Sequence, residues 1–106
     1  MGSRIPDELA GRSIDCVFSG FTPRLTFRDD GLRLQAALPD MQIDEVVEVD
    51  VATVRPHVFA LNWTESNGNF IVQVQDHENS LVYNYARLGN GELFCQTGTL
   101  RPVSPS

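Results

Sequence analysis

Asn67-Gly68 lies between two runs of alternating side chains, Val58–Glu65 and Phe70–Asp76, and that arrangement leaves the chain few options. Asn-Gly flanked by alternating apolar residues is the strongest short hairpin signal, because both residues accept the left-handed backbone of a tight turn. A two-residue loop there sets Glu65 opposite Phe70, Trp63 opposite Val72, Leu61 opposite Val74 and Phe59 opposite Asp76. The other face pairs Thr64 with Ile71, Asn62 with Gln73 and Ala60 with Gln75. This register collects the apolar residues on one face, and a slip of one residue would send a whole strand's side chains to the other face. A loop over His77–Ser80 extends the same face. It sets Asp76 opposite Leu81, Val74 opposite Tyr83, Val72 opposite Tyr85 and Phe70 opposite Arg87.

The rest of the chain is punctuated in the same way. Ser13–Phe18 and Arg24–Arg28 read as strands, and Asp29-Asp30-Gly31 turns the chain into Leu32–Leu38. Glu45–Val54 follows, with Val47, Val49 and Val51 inward and Glu48 and Asp50 outward, until Arg55-Pro56 breaks it. Leu88-Gly89-Asn90-Gly91 leads into a last strand, Glu92–Leu100. Pro6–Gly11 has room for one helical turn, and no convincing 3.6-residue apolar period follows it. About eight short antiparallel strands joined mostly by hairpins predict an all-β chain: a single up-and-down β-barrel, with a sandwich as the alternative. The expected divisions are an N-terminal segment over 1–12, a barrel over 13–100 and a tail over 101–106.

Composition narrows the partners. A chain of 106 residues fits one domain and buries a core without staples. A formal net charge of −6 argues against nucleic acid and anionic membrane surfaces, which require basic patches. No apolar run reaches the length of a membrane span, and Met1–Arg12 lacks the apolar stretch of a signal peptide. The alternation sends Cys16 and Cys95 to different faces, so they are expected to stay unpaired in a reducing, cytoplasmic setting. His57 and His77 have no neighbouring ligands in metal spacing, so neither a metal nor a cofactor is expected.

Glu65 is the residue that points to chemistry. It follows Phe59, Leu61 and Trp63 on the apolar face. A carboxylate on such a face is either a strand-end residue that stays wet or a buried group suited to acid–base work. In the expected register Glu65 and Arg87 flank Phe70 with backbones about 10 Å apart, close enough for their long side chains to meet. Tyr83 and Tyr85 on the same face are either satisfied core tyrosines or phenol donors to a ligand. Asp76, with His77, Glu78 and Asn79, reads as turn chemistry.

The stretch Val58-Phe59-Ala60-Leu61-Asn62-Trp63-Thr64-Glu65, with Asn67-Gly68, Val72-Gln73-Val74-Gln75-Asp76, Val82-Tyr83 and Thr97-Gly98-Thr99-Leu100, resembles the MoaF-like family. These are small calycin-type barrels named for a molybdenum-cofactor biosynthesis protein. The resemblance covers the C-terminal half, and the Arg24–Leu38 hairpin matches more loosely. Trp63-Thr64-Glu65 is also similar to the phenolic acid decarboxylases, which share the calycin-like, lipocalin-like barrel. There the resemblance implies a glutamate inside the barrel that acts without a cofactor, a position Glu65 carries here. The tyrosines those enzymes use on the first strand are replaced by Cys16 and Phe18, and no arginine stands between Leu38 and Glu45. The resemblance therefore implies the barrel and the internal carboxylate and leaves the reaction open.

The expected cavity is lined by Phe59, Leu61, Trp63, Phe70, Val72, Tyr83 and Tyr85, with Glu65 as its polar group and Arg87 beside it. It would hold a small, largely apolar or aromatic metabolite. Lyase, isomerase or cyclase chemistry would have Glu65 moving the proton and Tyr83 or Tyr85 steadying an oxyanion. A non-catalytic carrier or sensor is the second reading. The third is a packed barrel that assembles as a homodimer through a strand edge or through Val46 and Ile71.

Overall fold

The computed structural model describes residues 4–38 and 42–104. Among these residues nine strands form one antiparallel sheet: β1 (Ser13–Val17), β2 (Arg24–Phe27), β3 (Arg33–Leu38), β4 (Ile43–Glu48), β5 (Asp50–Arg55), β6 (Val58–Thr64), β7 (Phe70–Asp76), β8 (Leu81–Arg87) and β9 (Leu93–Val103). Their order is β4-β3-β2-β1-β9-β8-β7-β6-β5, and no α-helix occurs among the described residues. The two edge strands, β4 and β5, are consecutive in the chain and separated only by Val49. The expected strand over Glu45–Val54 is thus one bent strand. Its first half pairs with β3 and its second with β6, while Val47, Val49 and Val51 stay buried throughout. That bend brings the sheet's two edges together and nearly closes the barrel.

The N-terminal segment plugs one end. Leu9 and Ala10 N–H donate to Pro6 O in a single turn, and Leu9 and Ile5 are buried in the core. Gly11 N–H donates to Phe27 O, Phe27 N–H to Arg12 O, and His57 Nδ1 lies 2.7 Å from Glu8 Oε2. β1 and β9 approach closely at Gly98, where an added Cβ would lie 2.4 Å from Val17 O. On the outer side of β1, Asp15 is buried beneath Arg24 and Arg101, at 2.8 and 3.0 Å. Cys16 points inward and Cys95 outward, and both are free thiols.

The β6–β7 hairpin departs from expectation by one residue. Glu65 N–H donates to Asn69 O and Gly68 N–H to Glu65 O, with Gly68 at a φ of 89°. The loop is therefore Ser66-Asn67-Gly68, a turn followed by a glycine in the left-handed region. Asn67 contributes through its side chain, whose Oδ1 accepts from Asn69 N–H at 3.0 Å. The extra loop residue shifts the register, so Trp63 opposes Ile71, Leu61 opposes Gln73 and Phe59 opposes Gln75. The β7–β8 register is as expected, with Phe70 opposite Arg87, Val72 opposite Tyr85 and Val74 opposite Tyr83. Since β8 follows β7, both strands turn over together.

Phe70, Val72, Tyr83, Tyr85 and Arg87, all expected inside, consequently lie on the outer face, and Tyr85 is 53% exposed. Ile71, named as a surface contact, is buried, whereas Val46 is exposed. The inner face instead carries Ile71, Gln73 and Gln75 from β7, and Val82, Asn84 and Ala86 from β8.

Candidate functional site

Buried amides must be hydrogen-bonded to be tolerated, and here they satisfy one another. Gln75 Nε2 donates to Gln73 Oε1 at 2.8 Å, and Gln73 Nε2 donates to Asn84 Oδ1 at 3.0 Å. His77 Nε2 is 2.9 Å from Gln75 Oε1, so the ladder runs from the plugged end into the middle of the barrel. The Cys16 thiol reaches Gln73 Oε1 at 4.0 Å, and burial, with Asp15 adding to it, pushes its pKa up to about 12. A thiol so reluctant to ionise is not a nucleophile. Burial lowers the pKa of His77, whose ring stands edge-on to Phe59 at 5.6 Å. The hydrogen bond that exposed His57 donates to Glu8 raises its pKa.

At the other end the barrel is hollow. A cavity of about 150 Å³ opens between the β6–β7 hairpin, the β1–β2 connection and the start of β9. Its apolar walls include Phe18, Phe21, Leu25, Ala36, Ile43, Trp63, Ile71, Ala86 and Phe94, and its polar groups are Glu65, Asn69, Gln73 and Asn84. Glu65 is half-buried at the mouth. Trp63 Nε1 donates to its Oε2 and Asn69 Nδ2 to its Oε1, each at 3.3 Å. β6 places Trp63 and Glu65 on one face, and the three-residue loop brings Asn69 directly opposite Glu65. The hairpin that displaced the tyrosines thus also positions the carboxylate.

The expected site residues separate into three groups. Glu65 and Trp63 line the cavity. Phe59 and Leu61 are inside but fully packed in the core. Phe70, Val72, Tyr83, Tyr85 and Arg87 are outside, so no ion pair joins Arg87 to Glu65 among the described residues. Asp76 does serve its turn, accepting from Glu78 N–H, Asn79 N–H and Asn79 Nδ2. Gln73, Asn84 and Asn69 were missed as cavity groups. The sequence carries a trace of them in the alternation Gln73, Gln75 and in Asn84, which reads equally well as a solvent face. Among the described residues no cluster of three or more His, Cys, Asp or Glu side chains forms, and no helix is long and apolar enough to cross a membrane.

No curated protein matches the chain significantly. A crystal structure from Burkholderia vietnamiensis, of a protein described provisionally as a beta-lactamase, superposes with a TM-score of 0.88 at 21% identity. The match covers 95% of this chain and 100% of that one, and at this identity it speaks for the fold alone. The family model described as MoaF-like matches residues 10–101.

Proposed function

The chain belongs to the MoaF-like family, and from that premise we propose that its barrel binds a single-ring-sized, largely apolar small molecule at the open end and moves a proton on it through Glu65. The observation that carries this reading is the coincidence of a cavity with one positioned carboxylate. A dry apolar cavity of about 150 Å³ holds a benzene-sized ligand, which sets the scale for this one. Trp63 and Asn69 fix the Glu65 carboxylate at its mouth. Positioned polar groups on an apolar wall are the usual composition of a ligand site.

The amides supply the second polar contact. Gln73 occupies Asn84 Oδ1, which leaves the Asn84 Nδ2 donor for a ligand carbonyl or developing oxyanion. This is the role the sequence suggested for Tyr83 or Tyr85. Reactions consistent with such a pair are cofactor-free lyase, isomerase or cyclase steps, in which a base removes a proton beside a carbonyl and a donor stabilises the oxygen.

Trp63 is the only tryptophan in the chain and lines the cavity, so its fluorescence reports occupancy. A panel of single-ring carbonyl compounds should contain members that change its emission saturably. Ala86→Leu, which fills the cavity, should abolish that response. Glu65→Gln should retain binding and lose turnover of the bound compound. Turnover undiminished in Glu65→Gln refutes the chemistry, and a response that survives Ala86→Leu refutes the site.

A further inference from the structure

The outer face of β7, β8 and β9 is unlike the outside of the rest of the barrel. Elsewhere the outward positions are mostly polar, as with Ser13 and Asp15 on β1 or Arg33 and Gln35 on β3, and the exposed Val46 on β4 and Val54 on β5 are single apolar residues. Here one row across the three strands is Val72, Tyr85 and Cys95, and the next is Phe70, Arg87 and Leu93. Leu93 is 83% exposed, and a groove of about 380 Å³ runs along this face. The chain holds 14 Asp and Glu, yet none lies in 70–75, 81–87 or 93–100.

We propose that this face is a two-fold interface between two copies of the chain. Two molecules of net charge −6 repel, and they approach at least cost where carboxylates are missing. Phe70, Tyr83, Tyr85, Leu93 and Phe94 together expose roughly 500 Å², given aromatic side-chain areas of about 150–250 Å². A standard interface takes about 800 Å² per partner, and Val72, Cys95 and the Arg87 stem supply much of the remainder. The face is also self-complementary in charge. Asp76 shares the outer face of β7 with Phe70, about 20 Å along the strand from it, and Arg87 stands beside Phe70 at the opposite end. A two-fold axis lying across the strands brings Arg87 towards the partner's Asp76, twice. Phe94 lines both the groove and the mouth cavity, so docking covers one wall of the ligand site.

Sedimentation velocity of the purified chain over a wide concentration range tests the assignment. The expected result is a concentration-dependent species of twice the 11.8 kDa chain mass. Tyr85→Lys and Leu93→Lys should each weaken it at least about tenfold, as loss of a buried anchor does, and Arg87→Glu should weaken it less. Circular dichroism melts of these variants should stay those of a folded chain, because all three side chains are exposed. Val54→Lys, at an exposed apolar residue on β5, should leave the dimer intact. A monomer at every concentration overturns the proposal. A dimer that survives both Tyr85→Lys and Leu93→Lys overturns it too, as does a monomer that partitions onto neutral lipid vesicles through Tyr85.

Discussion

Replacing Gln73 with Leu separates the observed hairpin register from its one-residue alternative. Gln73 accepts from Gln75 Nε2 and donates to Asn84 Oδ1, and both partners are buried. Leu removes both bonds and orphans two buried polar atoms at about 1–3 kcal/mol each. Burying the new apolar side chain returns about 1.5–3 kcal/mol. The net loss is about 1–3 kcal/mol, a substantial part of the roughly 5–15 kcal/mol that holds a domain folded. Urea unfolding at a slope of about 1–3 kcal/mol per molar should show a midpoint lower by about 1 M. Gln73→Ala should lose more, since it adds a cavity to the same orphaned atoms. With a two-residue loop at Asn67-Gly68, Gln73 would face solvent and Leu would change stability by no more than about 0.5 kcal/mol. A neutral Gln73→Leu would therefore refute the amide ladder and the register together, above all if Val72→Asn proved costly.

The N-terminal plug should respond to pH through His57. Its pKa is raised by the hydrogen bond it donates to Glu8, so the contribution is full below the unfolded value of 6.5 and is lost as pH rises through the folded value. His77 works in the opposite sense. Burial lowers its pKa, so stability falls as pH drops below 6.5 towards the folded value. Melting temperatures of wild type and Glu8→Gln across that range should converge at high pH, and parallel curves would remove His57 from the account. Gly98→Ala should destabilise by about 1–3 kcal/mol. Its Cβ would lie 2.4 Å from Val17 O and 2.7 Å from the Phe18 ring, and the backbone carbonyl cannot step aside. An unchanged melting temperature would mean that β1 and β9 are looser than they stand.

The all-β architecture is legible because its signals are local. Alternation along Glu45–Val54 places Val47, Val49 and Val51 inside correctly, even though the strand bends at Val49 and changes partners. The bend itself is invisible, since nothing in an uninterrupted alternation says which neighbour each half will meet. The hairpin at Asn67-Gly68 was also legible as a hairpin, but not as a loop length. A glycine with positive φ serves a two-residue turn and a three-residue turn equally well. The choice between them decides which face of β7 is buried. Hydrophobicity then gives the wrong answer, because Phe70, Val72 and Val74 form a more apolar face than Ile71, Gln73 and Gln75.

The apolar face of β7 and β8 can stay outside because the buried amides of the polar face find hydrogen-bond partners inside. Gln73, Gln75, Asn84 and His77 close their hydrogen bonds with one another, so burying them costs far less than burying isolated amides. That compensation needs β7 and β8 in register and is not visible in either strand read alone. Glu65 was readable because its signal is the reverse: a carboxylate on an apolar strand face stands out without knowledge of its neighbours. The same inversion links the ligand site and the outer face. One added loop residue sends the amides towards the cavity and the tyrosines into the open. A variant that shortened the loop by deleting Ser66 should therefore fail at both, losing the Trp63 fluorescence response together with the dimer. Loss of one alone would show that the cavity and the exposed aromatic face do not share this structural origin.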